Sequence, residues 1–134
     1  MKKQILIIVT FLFITIAFIS CKSDNNDEPT KTELLTTGKW QGETQQVYNG
    51  ELLTNTVDTT NQDLELYINN EFKAYTDDVV DTEGTWSLSS DENTITLFGG
   101  GNFTINELNT TKFIFTLHTT GVGNITDVKY TYKK

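Results

Sequence analysis

The side chains able to do chemistry are few, and most stand alone. His118 is the single histidine and Cys21 the single cysteine, which excludes a disulfide, a CxxC redox pair and a four-thiolate metal site. A hydrolytic triad needs a nucleophile, a base and a group that orients the base. His118 alternates away from Phe113, Phe115 and Leu117, on the side of its strand expected to meet water. Paired carboxylates would suit glycoside hydrolysis, but a general acid among them must be desolvated. Asp77, Asp78 and Asp81 share one polar loop, Glu65, Glu71 and Glu83 are scattered, and nothing around them signals burial. Gly99-Gly100-Gly101 lacks the following lysine and the strand–loop–helix setting of a phosphate loop, so it reads as a hairpin turn. The ten cations are all lysine, with no guanidinium fork for phosphate, and the formal charge is −8. That balance argues against a nucleic-acid partner, which needs a basic patch. These residues predict no enzyme, no cofactor and no metal. A weak calcium site on the 77–81 loop is the minority alternative.

Cys21 gains meaning from what precedes it. Met1-Lys2-Lys3 is a short basic start, and Ile5 to Ile19 is apolar apart from Thr10 and Thr15. That run is too short for a bilayer-spanning helix, which takes about 18–20 residues, and reads as a secretory signal. Phe18-Ile19-Ser20-Cys21 resembles a bacterial lipobox, with a small residue before a cysteine that is acylated. The resemblance implies residues 1–20 as signal peptide and Cys21 as lipid attachment point, carrying acyl chains such as palmitate. Several chains would anchor stably where one binds only marginally. Residues 21–33 then form an acidic tether, since Lys22 to Lys31 holds no large apolar side chain. Lys22 directly after the cysteine argues against retention at an inner membrane. Asp24, Asp27 and Glu28 resemble the surface-export signal of Bacteroidetes-type lipoproteins. The expected location is the outer membrane, lipid-anchored and facing the cell surface, with the periplasmic face as alternative.

The elements that must position everything else are strands. Residues 34–134 hold all nine glycines and no proline. Thr30-Lys31-Thr32-Glu33 fits a capping box, predicting one or two helical turns before the first strand. After that no stretch keeps a helical period, and two-residue alternation dominates. Asn49-Gly50 predicts a hairpin with Val47 opposite Leu52, which puts Trp40, Tyr48, Leu53 and Val57 on one face if no bulge intervenes. Leu64, Leu66 and Ile68 share a face, as do Phe72, Ala74 and Thr76. Phe103 and Ile105, then Phe113, Phe115 and Leu117, then Val128, Tyr130 and Tyr132 continue the pattern, while Tyr67, Tyr75 and Ile114 fall on the outward face. Eight or nine short strands with tight turns imply a meander, which removes its edges by closing into a barrel.

Gly38-Lys39-Trp40 resembles the Gly-x-Trp signature of lipocalins. Glu83-Gly84-Thr85-Trp86-Ser87-Leu88-Ser89 with Asn93-Thr94-Ile95-Thr96-Leu97 is similar to a block of small lipocalin-like domains in bacterial lipoproteins, and Phe103 to Leu108 and Tyr130 to Lys134 resemble their later strands. The resemblance implies an all-β, eight-stranded antiparallel up-and-down barrel over residues 34–134, with Trp40 at its closed end. By analogy it implies a small apolar or amphipathic ligand. Candidate interior residues are Trp40, Tyr48, Leu66, Phe72, Trp86, Phe103, Phe113, Phe115 and Tyr130. An eight-stranded barrel can also be filled by its own side chains, and each aromatic buries about 150–250 Å². A ligand-holding barrel and a filled barrel that serves as a surface interaction module, with a protein or glycan partner, both stay open.

Overall fold

The computed structural model describes residues 28–121 and 124–134. The expected signal peptide, Cys21 and the expected tether as far as Asp27 lie outside the described residues. Thr30 caps the first helix, α1 (Lys31–Thr36), by accepting from the Glu33 amide while the Glu33 carboxylate accepts from the Thr30 amide at 2.7 Å. Residues 30–33, expected in the tether, therefore belong to the folded domain. The capping box is what pulls them in.

Alternation then produces ten strand segments: β1 (Trp40–Asn49), β2 (Leu52–Asp58), β3 (Gln62–Leu66), β4 (Glu71–Thr76), β5 (Val79–Thr85), β6 (Ser87–Leu88), β7 (Thr94–Leu97), β8 (Gly101–Leu108), β9 (Lys112–Gly121) and β10 (Asn124–Lys133). They form one antiparallel sheet in the order β5-β4-β3-β1-β10-β9-β8-β7-β6, with β2 also paired to β1. The two ends of that order, β5 and β6, are neighbours in the chain. Thr85 pairs with Glu71 of β4, Ser87 pairs with Thr96 of β7, and Trp86 bends the chain between them. β2 and β3 likewise both run antiparallel to β1, separated by a kink at Thr59–Asn61. Counting each kinked pair as one strand, ten segments become the eight strands of an up-and-down barrel. Closure is incomplete: among the described residues, no strand pairs with the edge of β5 turned from β4. Phe98 fills that seam, its ring 5.0 Å from Phe72 and 6.0 Å from Phe103.

One end is sealed. Leu35 of α1, Trp40, Leu64, Leu66, Ile95 and Phe113 are almost fully buried there. The Trp40 indole donates to the Leu35 carbonyl at 3.0 Å. The Lys134 ammonium lies 3.9 Å from the Trp40 ring centre and donates to the Leu34 carbonyl, so the C-terminus bolts helix to barrel. Opposite this end, β1, β2, β9 and β10 run on as a flange whose strand β2 is exposed along its whole length.

Four bulges set faces that alternation alone misassigns. An extra residue, Glu43, between Gly42 and Thr44 shifts β1 by one against β10. Tyr48 therefore does not share Trp40's face. It lies on the other side, where its hydroxyl donates to Gln46 at 3.0 Å, outside the core. The hairpin loop is Gly50-Glu51 rather than Asn49-Gly50, with Asn49 opposite Leu52 and Tyr48 opposite Leu53, because Gly50 takes the positive φ of 60°. Ile68 is 72% exposed, since β3 ends at Leu66 and the turn begins at Tyr67. The 76–81 segment is a two-residue turn, Asp77-Asp78, followed directly by strand, so Asp81 is a bulge residue in β5.

Candidate functional site

The interior is built from aromatic rings in contact. Trp40 meets Phe113 at 5.5 Å between centroids, Phe113 meets Phe115 at 4.6 Å, and Phe115 meets Phe103 at 5.2 Å. Tyr130 and Tyr132 stack on Phe115 at 5.2 and 5.7 Å, nearly parallel to it. Eight of the nine candidate interior residues line this space; Tyr48 is the exception. Trp40, Leu66, Phe72, Trp86, Phe103, Phe113 and Phe115 are each no more than 4% exposed, and Tyr130 packs against them half-buried. The column leaves no calyx for a long apolar chain. The Trp86 indole is satisfied within it, donating to the Tyr67 carbonyl at 3.0 Å.

An open hollow of about 490 Å³ lies along β4 and β5 beside Glu71, Lys73 and Glu83, and space also opens where the column ends. A half-enclosed cavity of about 260 Å³ lies at the mouth, between β3, β4 and β5 on one side and β9 and β10 on the other. Phe98, Phe115 and Ala74 give it apolar walls, and Tyr130, Tyr132, Gln62, Asp63, Thr76 and Thr82 give it polar ones, with Asp81 at its rim. The kink after β2 shapes one edge. The Gln62 amide donates to the Thr59 carbonyl at 2.8 Å, and this turn lies so close over Gly42 that a Cβ there would stand 2.2 Å from two backbone oxygens. Only glycine permits that approach.

Tyr132 is 8% exposed, and its hydroxyl makes no hydrogen bond to any described residue while keeping contact with the cavity. The Tyr130 hydroxyl also lacks a described partner. Burial pushes the pKa of both phenols up, and for Tyr132 the neighbouring Tyr130 and Asp63 push the same way. Both therefore stay protonated donors at neutral pH. Asp63 spends one oxygen on Lys39, at 2.8 Å, and Lys39 also reaches Asp78 at 3.2 Å. Those carboxylates hold the Lys39 pKa above its ordinary value, the hydrogen bond to Asp63 contributing most.

The outer face of β3 and β4 carries a second polar group. Tyr67 and Tyr75 both donate to one oxygen of Glu65, at 2.5 and 2.9 Å, which lowers the Glu65 pKa and raises that of Tyr67. Its members satisfy one another. His118 is on the outer surface, 55% exposed, with its Nδ1 2.6 Å from Asp127. Among the described residues no three His, Cys, Asp or Glu side chains gather in a way that could hold a metal ion.

Sequence reasoning missed Tyr132, Phe98 and Asp63 as mouth residues. Tyr132 was within reach of it, two residues from Tyr130 on the same face. Phe98 was not, since it sits in a turn with a φ of 51°. Fold and site thus define an antiparallel β-barrel with a filled core and a small cavity at its mouth. Compared with known proteins, the chain matches no family model, and no curated protein shows significant similarity to it.

Proposed function

We propose that this chain is a lipid-anchored lipoprotein of the cell envelope whose lipocalin-like barrel is non-catalytic and holds one small amphipathic ligand at its mouth. The observation that carries the reading is the mouth cavity of about 260 Å³, with aromatic walls and two phenol hydroxyls that have no described partner, above a core of packed aromatic rings. Sites for drug-sized ligands run to about 300–1,000 Å³, so the occupant is small. The sequence supports the anchor through the lipobox-like Phe18 to Cys21 and the acidic tether behind it. The described chain enters beside α1, where Pro29 lies with Thr110 and Lys134 at the sealed end. Anchoring through Cys21 would therefore attach the tether at the sealed end, away from the mouth.

Two measurements test this. Labelling cells with radioactive palmitate should mark the protein and fail to mark a Cys21→Ala variant; equal labelling removes the anchor. Titrating small amphipathic molecules while following the ring NMR signals of Tyr130 and Tyr132 should give saturable shifts. A broad panel without any response removes the ligand.

The alternative of a surface interaction module draws support from β2. All seven of its residues are exposed, including Leu52, Leu53 and Val57, and it carries neither proline nor lysine to guard its free edge. An extended segment of a partner protein could pair with it. Thr56→Pro, which blocks such pairing, should then abolish capture of that partner from envelope extract.

A further inference from the structure

The unused hydrogen-bonding groups of the mouth restrict what can sit there. Tyr132 is the sharpest constraint, because the residue is only 8% exposed while its hydroxyl, without a described partner, stays open to the cavity as a free hydrogen-bond donor. Tyr130 brings a second donor to the same space. Across the cavity, Asp63 has an oxygen not taken by Lys39, and Gln62, Thr76 and Thr82 present side chains without described partners. Phe98 and Phe115 supply ring surface beside these groups. The occupant must therefore both accept and donate hydrogen bonds, closely spaced, while showing an apolar flank.

Other chemistries fit less well. An alkyl chain has nowhere to extend, since Phe103, Phe113 and Phe115 close the space beneath. An anion finds no lysine among the described lining residues, and Lys39 behind Asp63 is already held by Asp63 and Asp78, on a chain of formal charge −8. An organic cation could meet Asp81 at the rim, but it would leave both phenol donors unanswered, and the charge of Asp63 is already balanced by Lys39.

We infer that the mouth binds a neutral polyhydroxylated ring of pyranose size, its hydroxyls accepting from Tyr130 and Tyr132 and donating to Asp63, with a C–H face against Phe98. This rests on the small-ligand reading above and narrows it to one class. The ring could come as a free sugar or as the exposed end of a glycan chain, since the cavity is open on one side.

The test uses the full lipidated chain in a detergent without a sugar headgroup, with the ring signals of Tyr130 and Tyr132 observed by NMR. The probes are methyl glycosides of glucose, galactose and N-acetylglucosamine, a trisaccharide, cyclohexanol as a ring of similar size with a single hydroxyl, and choline. Saturable shifts with at least one glycoside and not with cyclohexanol support the proposal. Tyr132→Phe, which deletes only an unbonded hydroxyl, should keep the fold and weaken that glycoside by about three- to tenfold. Binding of the trisaccharide alone assigns a glycan end, and binding of the monosaccharide alone assigns a free sugar. Saturation by cyclohexanol or choline with no glycoside response overturns the sugar while leaving a small-ligand site. Silence from every probe overturns both. A Tyr132→Phe variant that binds the glycoside as tightly as the parent overturns the assigned contact.

Discussion

Replacing Gly42 with alanine puts a methyl group where the barrel wall meets the kink between β2 and β3. The new Cβ would stand 2.2 Å from both the Thr59 and the Gln62 carbonyl oxygens, about 1 Å inside ordinary contact. Neither oxygen can swing aside, because both belong to the backbone. The turn that carries them is tied by the Gln62 amide to the Thr59 carbonyl and by the Thr59 amide to Glu43. Losing a glycine would by itself stabilise by about 0.4–1 kcal/mol through the unfolded chain. Overpacking of this kind costs about 1–3 kcal/mol or more, so the clash should win, with a net loss of about 1–2 kcal/mol. Gly84→Ala makes a fair comparison, since its Cβ would meet the edge of the Phe72 ring at 3.0 Å and a ring can tilt. Urea unfolding followed by the fluorescence of Trp40 and Trp86 should show Gly42→Ala clearly below the parent and Gly84→Ala between them. For a domain of this size about 1 kcal/mol shifts the melting temperature by about 4–8 °C. A Gly42→Ala protein as stable as the parent would refute the placement of the kink over the mouth.

Further expectations concern the sealed end and the titrating groups. Lys134→Ala removes the cation from the Trp40 ring and the hydrogen bond to Leu34, and should cost about 1–2 kcal/mol; an unchanged urea midpoint would show that the C-terminus is not a bolt. The lowered pKa of Glu65 means that its share of stability is present above the ordinary glutamate value near 4.3 and lost as pH falls through the folded value. Glu65→Gln should flatten the acid limb of a stability–pH curve, and an identical limb would contradict the two tyrosine bonds. The raised pKa of Tyr132 works at the other end: its contribution is complete below about pH 10 and fades as pH rises further. Tyr132→Phe should therefore lose less stability between neutral pH and strongly alkaline pH than the parent does, as read by thermal melts across that range.

Much of the barrel was readable before any coordinates. The capping box at Thr30–Glu33 and the strand alternation follow from local patterns, and Trp40 lies at the sealed end, where the Gly-x-Trp resemblance implied it. Tyr48 shows where such reading fails. A bulge such as Glu43 inserts one residue without any signal in the alternation, and everything beyond it changes face until another compensates. The kinks at Trp86 and Thr59 escaped for a related reason, since a kink inside one strand looks from sequence like two strands with a short turn. The cavity was out of reach altogether. It depends on distances between Asp63 on β3, Phe98 in a turn and Tyr132 on β10, and no spacing along the chain encodes those. That the interior would be full was legible as one of two options, and the unbroken contact of Trp40, Phe113, Phe115 and Phe103 decides it.

A single titration bears most directly on a filled barrel with a ligand site at its mouth. The indole signals of Trp40 and Trp86 and the ring signals of Tyr130 and Tyr132 would be recorded together while a small amphipathic ligand and then a long-chain fatty acid are added. The account predicts that the two tyrosines respond to the small ligand, and that both indoles stay still throughout, because Trp40 and Trp86 are no more than 4% exposed in a core with no room. Saturable movement of the Trp40 indole with the fatty acid would mean that the barrel opens to its base, and would contradict it.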